Sequence, residues 1–203
     1  MKRFLLFLLL VILGIAGYFW YAFSKSSGNS GPKTPPITLK THSEQFNSQV
    51  TNLLNAYFDM KAAFVEADSI SAKAACKKMI NLADSFNLAE LKKDTAGIFM
   101  TDSINLENIK SNAKSLLMQT DITEMRKDFS MVNESIYPFI KAINYKGPNL
   151  YWQKCQMAFG EDKAANWISN TVEIINPYLG KFNPEYKSAM LHCGEILDTI
   201  KAN

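Results

Sequence analysis

The chain has 203 residues, 47% of them hydrophobic, and a formal charge of +3. That length suits one domain plus a short appendage, and no basic run interleaved with aromatics marks a nucleic-acid surface, so nucleic acid is not an expected partner. Three cysteines with no Cys-x-x-Cys spacing argue against a zinc ribbon, a thioredoxin-like motif and covalent haem.

Lys2 and Arg3 precede an uncharged run from Phe4 to Phe23. About twenty residues at 1.5 Å each cover a bilayer core of roughly 30 Å. The pattern predicts a transmembrane helix over 1–23, with a cytoplasmic N-terminus set by the two basic residues. The expectation is a single-pass inner-membrane protein whose body lies in the periplasm. The competing reading is a cleaved signal peptide and release into the periplasm. The length of the apolar run and its bulky end, Tyr18-Phe19-Trp20-Tyr21, favour the anchor. Residues 24–40 read as a linker, Ser/Gly-rich at first and then stiffened by Pro32, Pro35 and Pro36.

Residues 41–144 read as a four-helix bundle. Thr41-x-x-Glu44 has the form of a capping box, and Phe46, Val50, Leu53, Tyr57, Met60 and Phe64 then fall on one helical face. Asp68 or Ser69 opens a second helix with Ala72, Ala75, Met79, Leu82 and Phe86 inward. Leu88 to Thr101 reads as a connection. Asp102 or Ser103 opens a third helix carrying Leu106, Ile109, Ala113 and Leu116. Asp121-x-x-Glu124 opens a fourth, with Met125, Phe129, Val132, Ile136 and Phe139, and Pro138 should kink it. Short links between such helices are those of a bundle. Asp59, Glu66 and Asp84 read as a solvated face. Cys76 reads as a small buried residue and His42 as a solvated one.

The periodicity changes after Gly147-Pro148. Residues 145–203 read as an irregular, partly β C-terminal cap folded over one end of the bundle. Leu150 to Met157 alternates like a strand, Glu161 to Ile168 suits a short helix, and Met190 to Ile200 suits a strand or a last helical turn. Trp152, Phe159, Trp167, Tyr178 and Tyr186 would form a small core there. The cap holds two cysteines beside methionines, in Cys155-x-Met157 and Met190-x-x-Cys193. Thiolate and thioether are soft donors that suit Cu(I) or Ag(I) better than hard cations. On a strand, residues two apart share a side, so Cys155 and Met157 can offer both sulfurs to one ion. Met190 and Cys193 would share a face on a helical turn, and Met190 and His192 on a strand. The candidate metal ligands are therefore Cys155, Met157, Met190, Cys193 and His192.

The tail also resembles a bacterial envelope family known as domain of unknown function 3347. The resemblance rests on Tyr151 to Met157, Trp167 to Ser169, Asn176-Pro177-Tyr178-Leu179-Gly180 and Met190-Leu191-His192-Cys193-Gly194. Gln156 stands where the family pattern has proline, which frees a backbone angle beside Cys155, and Leu179 stands where it has an aromatic. Related modules extend the C-terminus of periplasmic adaptor subunits of heavy-metal efflux pumps. The resemblance thus implies a periplasmic helical domain linked to metal handling, with a heavy-metal efflux component as the expected partner.

Two readings of the cysteines stand side by side. One is a soft-metal site that buffers its ion or passes it to an efflux partner. The other is a metal-free interaction domain stapled by a Cys155–Cys193 disulfide, which the envelope permits. Catalysis is not expected: the sequence holds no nucleophile–base motif, no phosphate-cradling glycine loop and no two-histidine metal signature.

Overall fold

In the computed structural model the described residues are 14, 15, 17, 18, 21, 41–94 and 97–201. The chain divides into two units, Met1–Pro36 and Ile37–Asn203. In the first, Gly14, Ile15, Gly17, Tyr18 and Tyr21 are helical. Most of the expected anchor and all of the expected linker lie outside the described residues. Among those described, no helix is long and apolar enough to cross a membrane.

The second unit holds four helices, α1 (Glu44–Val65), α2 (Ser69–Asp84), α3 (Ile98–Met118) and α4 (Ile122–Ala142), with a 3-10 turn at Ala89–Lys93. Each α-helix starts where a local group satisfies free backbone N–H donors or where the chain turns sharply. Ser43, not Thr41, caps α1, its Oγ accepting from the Phe46 N–H at 3.2 Å. Glu90 reaches back from the 3-10 turn to accept from the Ser43 N–H at 2.9 Å. Asp68 Oδ1 caps α2 through the N–H groups of Ile70 and Ser71. Asp121 Oδ1 caps α4 through those of Thr123 and Glu124. The third helix begins at Ile98, earlier than expected, because Gly97 at φ +104° turns the chain into it without a side-chain cap. Asp102 is thereby carried inside α3, on its buried face. Helix α4 continues through Pro138 to Ala142.

The predicted stripes meet in one core. Phe46, Leu53, Leu116, Phe129 and Ile136 are buried, while Leu82 is half-buried at the margin. Phe129 sits at the centre, with the rings of Tyr57, Phe64 and Tyr178 at 5.5, 5.0 and 5.9 Å. Cys76 is buried as expected, its thiol 3.1 Å from the Ala113 carbonyl. His42 departs from expectation. It is buried, its ring 4.4 Å from Phe46 and its Nε2 3.5 Å from Asp94 Oδ2.

The tail forms a three-stranded sheet: β1 (Leu150–Cys155), β2 (Ala165–Ser169) and β3 (Glu195–Ile200), in the order β2-β1-β3 and antiparallel throughout. The segment expected as a helix, Glu161 to Ile168, is instead a turn and loop over 161–164 followed by β2. Its local sequence has no strong preference, and pairing with β1, Tyr151 opposite Ser169 through Cys155 opposite Ala165, decides the matter. The sheet lies along the flank of α1 and α4 rather than over an end. Contacts between the tail and α4 run the length of the helix, from Arg126 and the Pro177 carbonyl to Lys141 and Asp198. The aromatic residues are no separate core: Trp152 stacks on Tyr137 of α4 at 4.2 Å, and Tyr178 touches Phe129.

Candidate metal centre

β2 is an edge strand, and its free edge faces the helices. The backbone groups left there need partners, and a buried polar relay supplies them. The Ile168 N–H donates to Tyr57 Oη at 2.9 Å, and Tyr57 Oη donates to Asn133 Oδ1 at 2.5 Å. Asn133 Nδ2 donates to Tyr178 Oη at 3.1 Å, and Tyr178 Oη donates to the Asn166 carbonyl. Two bundle residues and one tail residue thus close a loop on β2. Burial raises the pKa of both phenols, so they stay neutral donors.

The Asn176–Gly180 turn fixes the rest of the tail. Asn176 Oδ1 accepts from the N–H groups of Tyr178 and Leu179, while its Nδ2 donates to the Cys193 carbonyl at 3.0 Å. Gly180 has φ +60°, and a Cβ there would lie 2.7 Å from the Val65 carbonyl oxygen. Only glycine lets the turn press against the end of α1, where the Lys181 N–H donates to Val65 O at 2.9 Å.

That scaffold brings Cys193 back to Cys155. Cys155 closes β1, one residue beyond the last β1–β3 pair, Lys154 opposite Glu195. Gly194 at φ +151° lets the returning chain pass, since a Cβ there would meet Lys154 O at 2.8 Å and Trp167 Cη2 at 3.0 Å. Cys155 is fully buried, Cys193 half-buried, and both are free thiols. Burial raises the pKa of Cys193 and the neighbouring Cys155 raises it further, against a smaller opposite effect of a backbone hydrogen bond from Met157. Cys193 therefore holds its proton at neutral pH. An ion that binds there must displace that proton.

The other candidate ligands are less gathered. Met157 follows Cys155 in the turn after β1, 40% exposed. Met190 packs half-buried against the core, its carbonyl accepting from the Cys193 N–H at 3.0 Å. His192 is exposed, with Nδ1 2.8 Å from the Ile174 carbonyl. Among the described residues no three of His, Cys, Asp and Glu form a metal cage. Any site here would rest on the two thiols and on thioethers.

Lys61 and Arg126, which the sequence reading passed over, and Asp102, which it took as a helix cap, are buried. Lys61 Nζ lies 3.2 Å from Ser169 Oγ, and burial lowers its pKa to about 8. Burial raises the Asp102 carboxyl to about 7. Arg126 spans from α4 to the carbonyls of Phe64 and Pro177. The available signal was a charge on an apolar stripe: Lys61 follows Tyr57 by one turn, Asp102 precedes Leu106 by one, and Arg126 precedes Phe129.

The family described as "Protein of unknown function (DUF3347)" matches residues 53–147. The match covers the helical body from Leu53 to the link before β1 and supports the family that the tail resembles. No curated protein and no solved structure matches the chain.

Proposed function

We propose that the chain is a membrane-anchored periplasmic module that binds one Cu(I) or Ag(I) ion through Cys155 and Cys193, with Met157 and Met190 supplying thioethers. It buffers the ion or passes it to a heavy-metal efflux partner. The observation that carries this reading is the approach of two free cysteines at the end of the sheet. Two thiolates suit a soft monovalent ion, and the absence of a hard-donor cage among the described residues fits that choice. Thioethers bind more weakly than thiolates, so the ion would exchange rather than remain stored. Because the Cys193 thiol starts protonated, apparent affinity rises with pH.

The same meeting of thiols, with Cys155 fully buried, favours a second reading, the disulfide-stapled interaction domain. Titration of the reduced full-length chain against a competing Cu(I) chelator separates the two. The metal reading expects one ion per chain, loss of binding in the double variant Cys155→Ser, Cys193→Ser, and weaker binding in Met157→Leu, Met190→Leu. Leucine nearly keeps the volume of methionine, so the fold is preserved. Equal affinities for wild type and the methionine variant would remove the thioethers from the site. No binding by reduced wild type would overturn the metal reading, and a thiol count on protein made in the envelope would then test the staple.

A further inference from the structure

A second feature of the tail is independent of the thiol pair. A cavity of about 520 Å³ opens between the first turn of α4 and the loops on either side of β2. That volume falls within the range of small-molecule sites, roughly 300–1,000 Å³. Phe159, Tyr178, Phe182 and Tyr186 line it. Phe159 and Tyr178 meet edge to face at 5.2 Å, which gives the wall a fixed shape. Phe182 is 63% exposed, a large apolar ring that the fold leaves uncovered.

Arg126 lies in the same lining and is only 5% exposed. Its Nε donates to Pro177 O at 3.0 Å and its Nη2 to Phe64 O at 2.7 Å. Both acceptors are neutral carbonyls, and a guanidinium carries five N–H donors. Among the described residues no carboxylate forms an ion pair with it. Asp121, the carboxylate nearest in effect, is committed to capping α4. Lys127 in the lining is already paired with Glu124 at 2.7 Å. Burial lowers the Arg126 pKa to about 10, so it remains charged at neutral pH. A buried cation without a counterion is costly, and an arginine fork matches a carboxylate in geometry.

The bland account is that Arg126 only ties α4 to the end of α1 and to the tail. It explains the two carbonyl bonds. It does not explain why the buried cation stands in the lining of an aromatic cavity whose carboxylates, Asp121 and Glu185, are both exposed and form no ion pair with it among the described residues. We propose that this cavity binds a small organic carboxylate with an aromatic or branched apolar body, the carboxylate directed to Arg126 and the body against Phe159, Phe182 and Tyr186.

The test uses the full-length chain in lipid nanodiscs, with empty nanodiscs as control, and fluorine NMR of two probes, para-trifluoromethyl-phenylacetate and its neutral amide. The two share a shape and differ in charge, so the role of Arg126 is read on the wild-type protein. The expected result is saturable binding of the acid, roughly tenfold or more tighter than the amide. Thr123 is exposed on the first turn of α4 and lines the cavity, so Thr123→Trp should obstruct it and abolish binding without touching the core. Equal affinity of acid and amide, binding undiminished in Thr123→Trp, or no saturable binding of the acid would each overturn the proposal.

Discussion

The helical body and the C-terminal sheet are held by different forces. Between the helices the contacts are apolar faces, with Leu53, Met60, Phe64, Met79, Ile109, Leu116 and Phe129 fully buried. Between the tail and the helices many of the contacts are single polar groups: Tyr57, Asn133, Arg126 and Lys61 each meet a named backbone or hydroxyl partner. Apolar burial is non-directional and tolerates small shifts. A buried hydrogen bond fixes a position and is costly to leave half-made. The body thus supplies the stability, and the polar contacts set where the tail, with its thiols and cavity, comes to rest.

Phe129→Ala should break that division, because Phe129 serves both regions. Its ring touches Tyr57 and Phe64 in the body and Tyr178 in the tail. Truncating a fully buried phenylalanine costs roughly 3–5 kcal/mol. Denaturant unfolding followed by far-UV circular dichroism measures it. A loss under about half a kcal/mol would mean that the core is not organised around this ring.

Lys61→Met sharpens the comparison from the polar side and should stabilise. Burial lowers the Lys61 pKa from 10.5 to about 8. The unfolded chain therefore holds this proton up to about pH 10.5, while the folded chain releases it near pH 8. Stability rises with pH across that window and carries a constant penalty below it. The shift corresponds to about 3 kcal/mol. Methionine keeps the stem and removes the charge, and Ser169 Oγ keeps the Thr171 N–H at 3.2 Å. The variant should gain up to about 3 kcal/mol near neutral pH, with the gain vanishing above about pH 10.5. A gain that does not change between pH 7 and pH 10.5 would assign it to packing instead.

How much of this was legible in the sequence follows the same division. The helical faces could be read because apolar spacing is local: Phe46 through Phe64 reports on α1 whatever lies beside it. Asp68 and Asp121 announced their helices because a cap acts within three residues. The start of α3 was misplaced because Gly97 turns the chain by its backbone, while Asp102 resembles a cap and is buried in fact. β2 was misread because Ala165 to Ser169 becomes a strand through pairing with β1 and through Tyr57 and Tyr178, none of them local. Cys155 and Cys193 could be singled out from their methionine neighbours. That they meet depends on Gly194 passing beneath Trp167, a close approach that spacing does not encode. The cavity was illegible for the same reason, its lining being drawn from α4 and from separate loops.

Tyr57→Phe tests the attachment of the tail directly. The phenol accepts from the Ile168 N–H and donates to Asn133. Phenylalanine keeps the ring against Phe129 and leaves the Ile168 N–H buried without a partner, a cost of about 1–3 kcal/mol. Hydrogen exchange should locate the loss: amides of β1 and β2 exchange faster while those of α2 and α3 are unchanged. Uniform loosening of both regions would show that the sheet and the helices unfold as one unit and that the division drawn above is only structural.

Asp102→Asn probes the body's own exception to apolar packing. Burial raises the Asp102 carboxyl from 3.8 to about 7, and Asp94 adds to that, against the hydrogen bond from Asn105 Nδ2 at 3.1 Å. The folded chain holds this proton up to about pH 7, whereas the unfolded chain loses it near pH 3.8. Stability from this group therefore falls as pH rises from about 4 to about 7 and stays low above that. Asparagine is neutral throughout and can still accept from Asn105. The variant should match wild type near pH 4 and exceed it above pH 7, where the wild type alone carries a buried charge at this position. Thermal unfolding at the two pH values checks the sign. Destabilisation of the variant at high pH would mean that the charged carboxylate is held by a favourable partner, and the start of α3 would then be an ion-binding end of the bundle rather than a cost it carries.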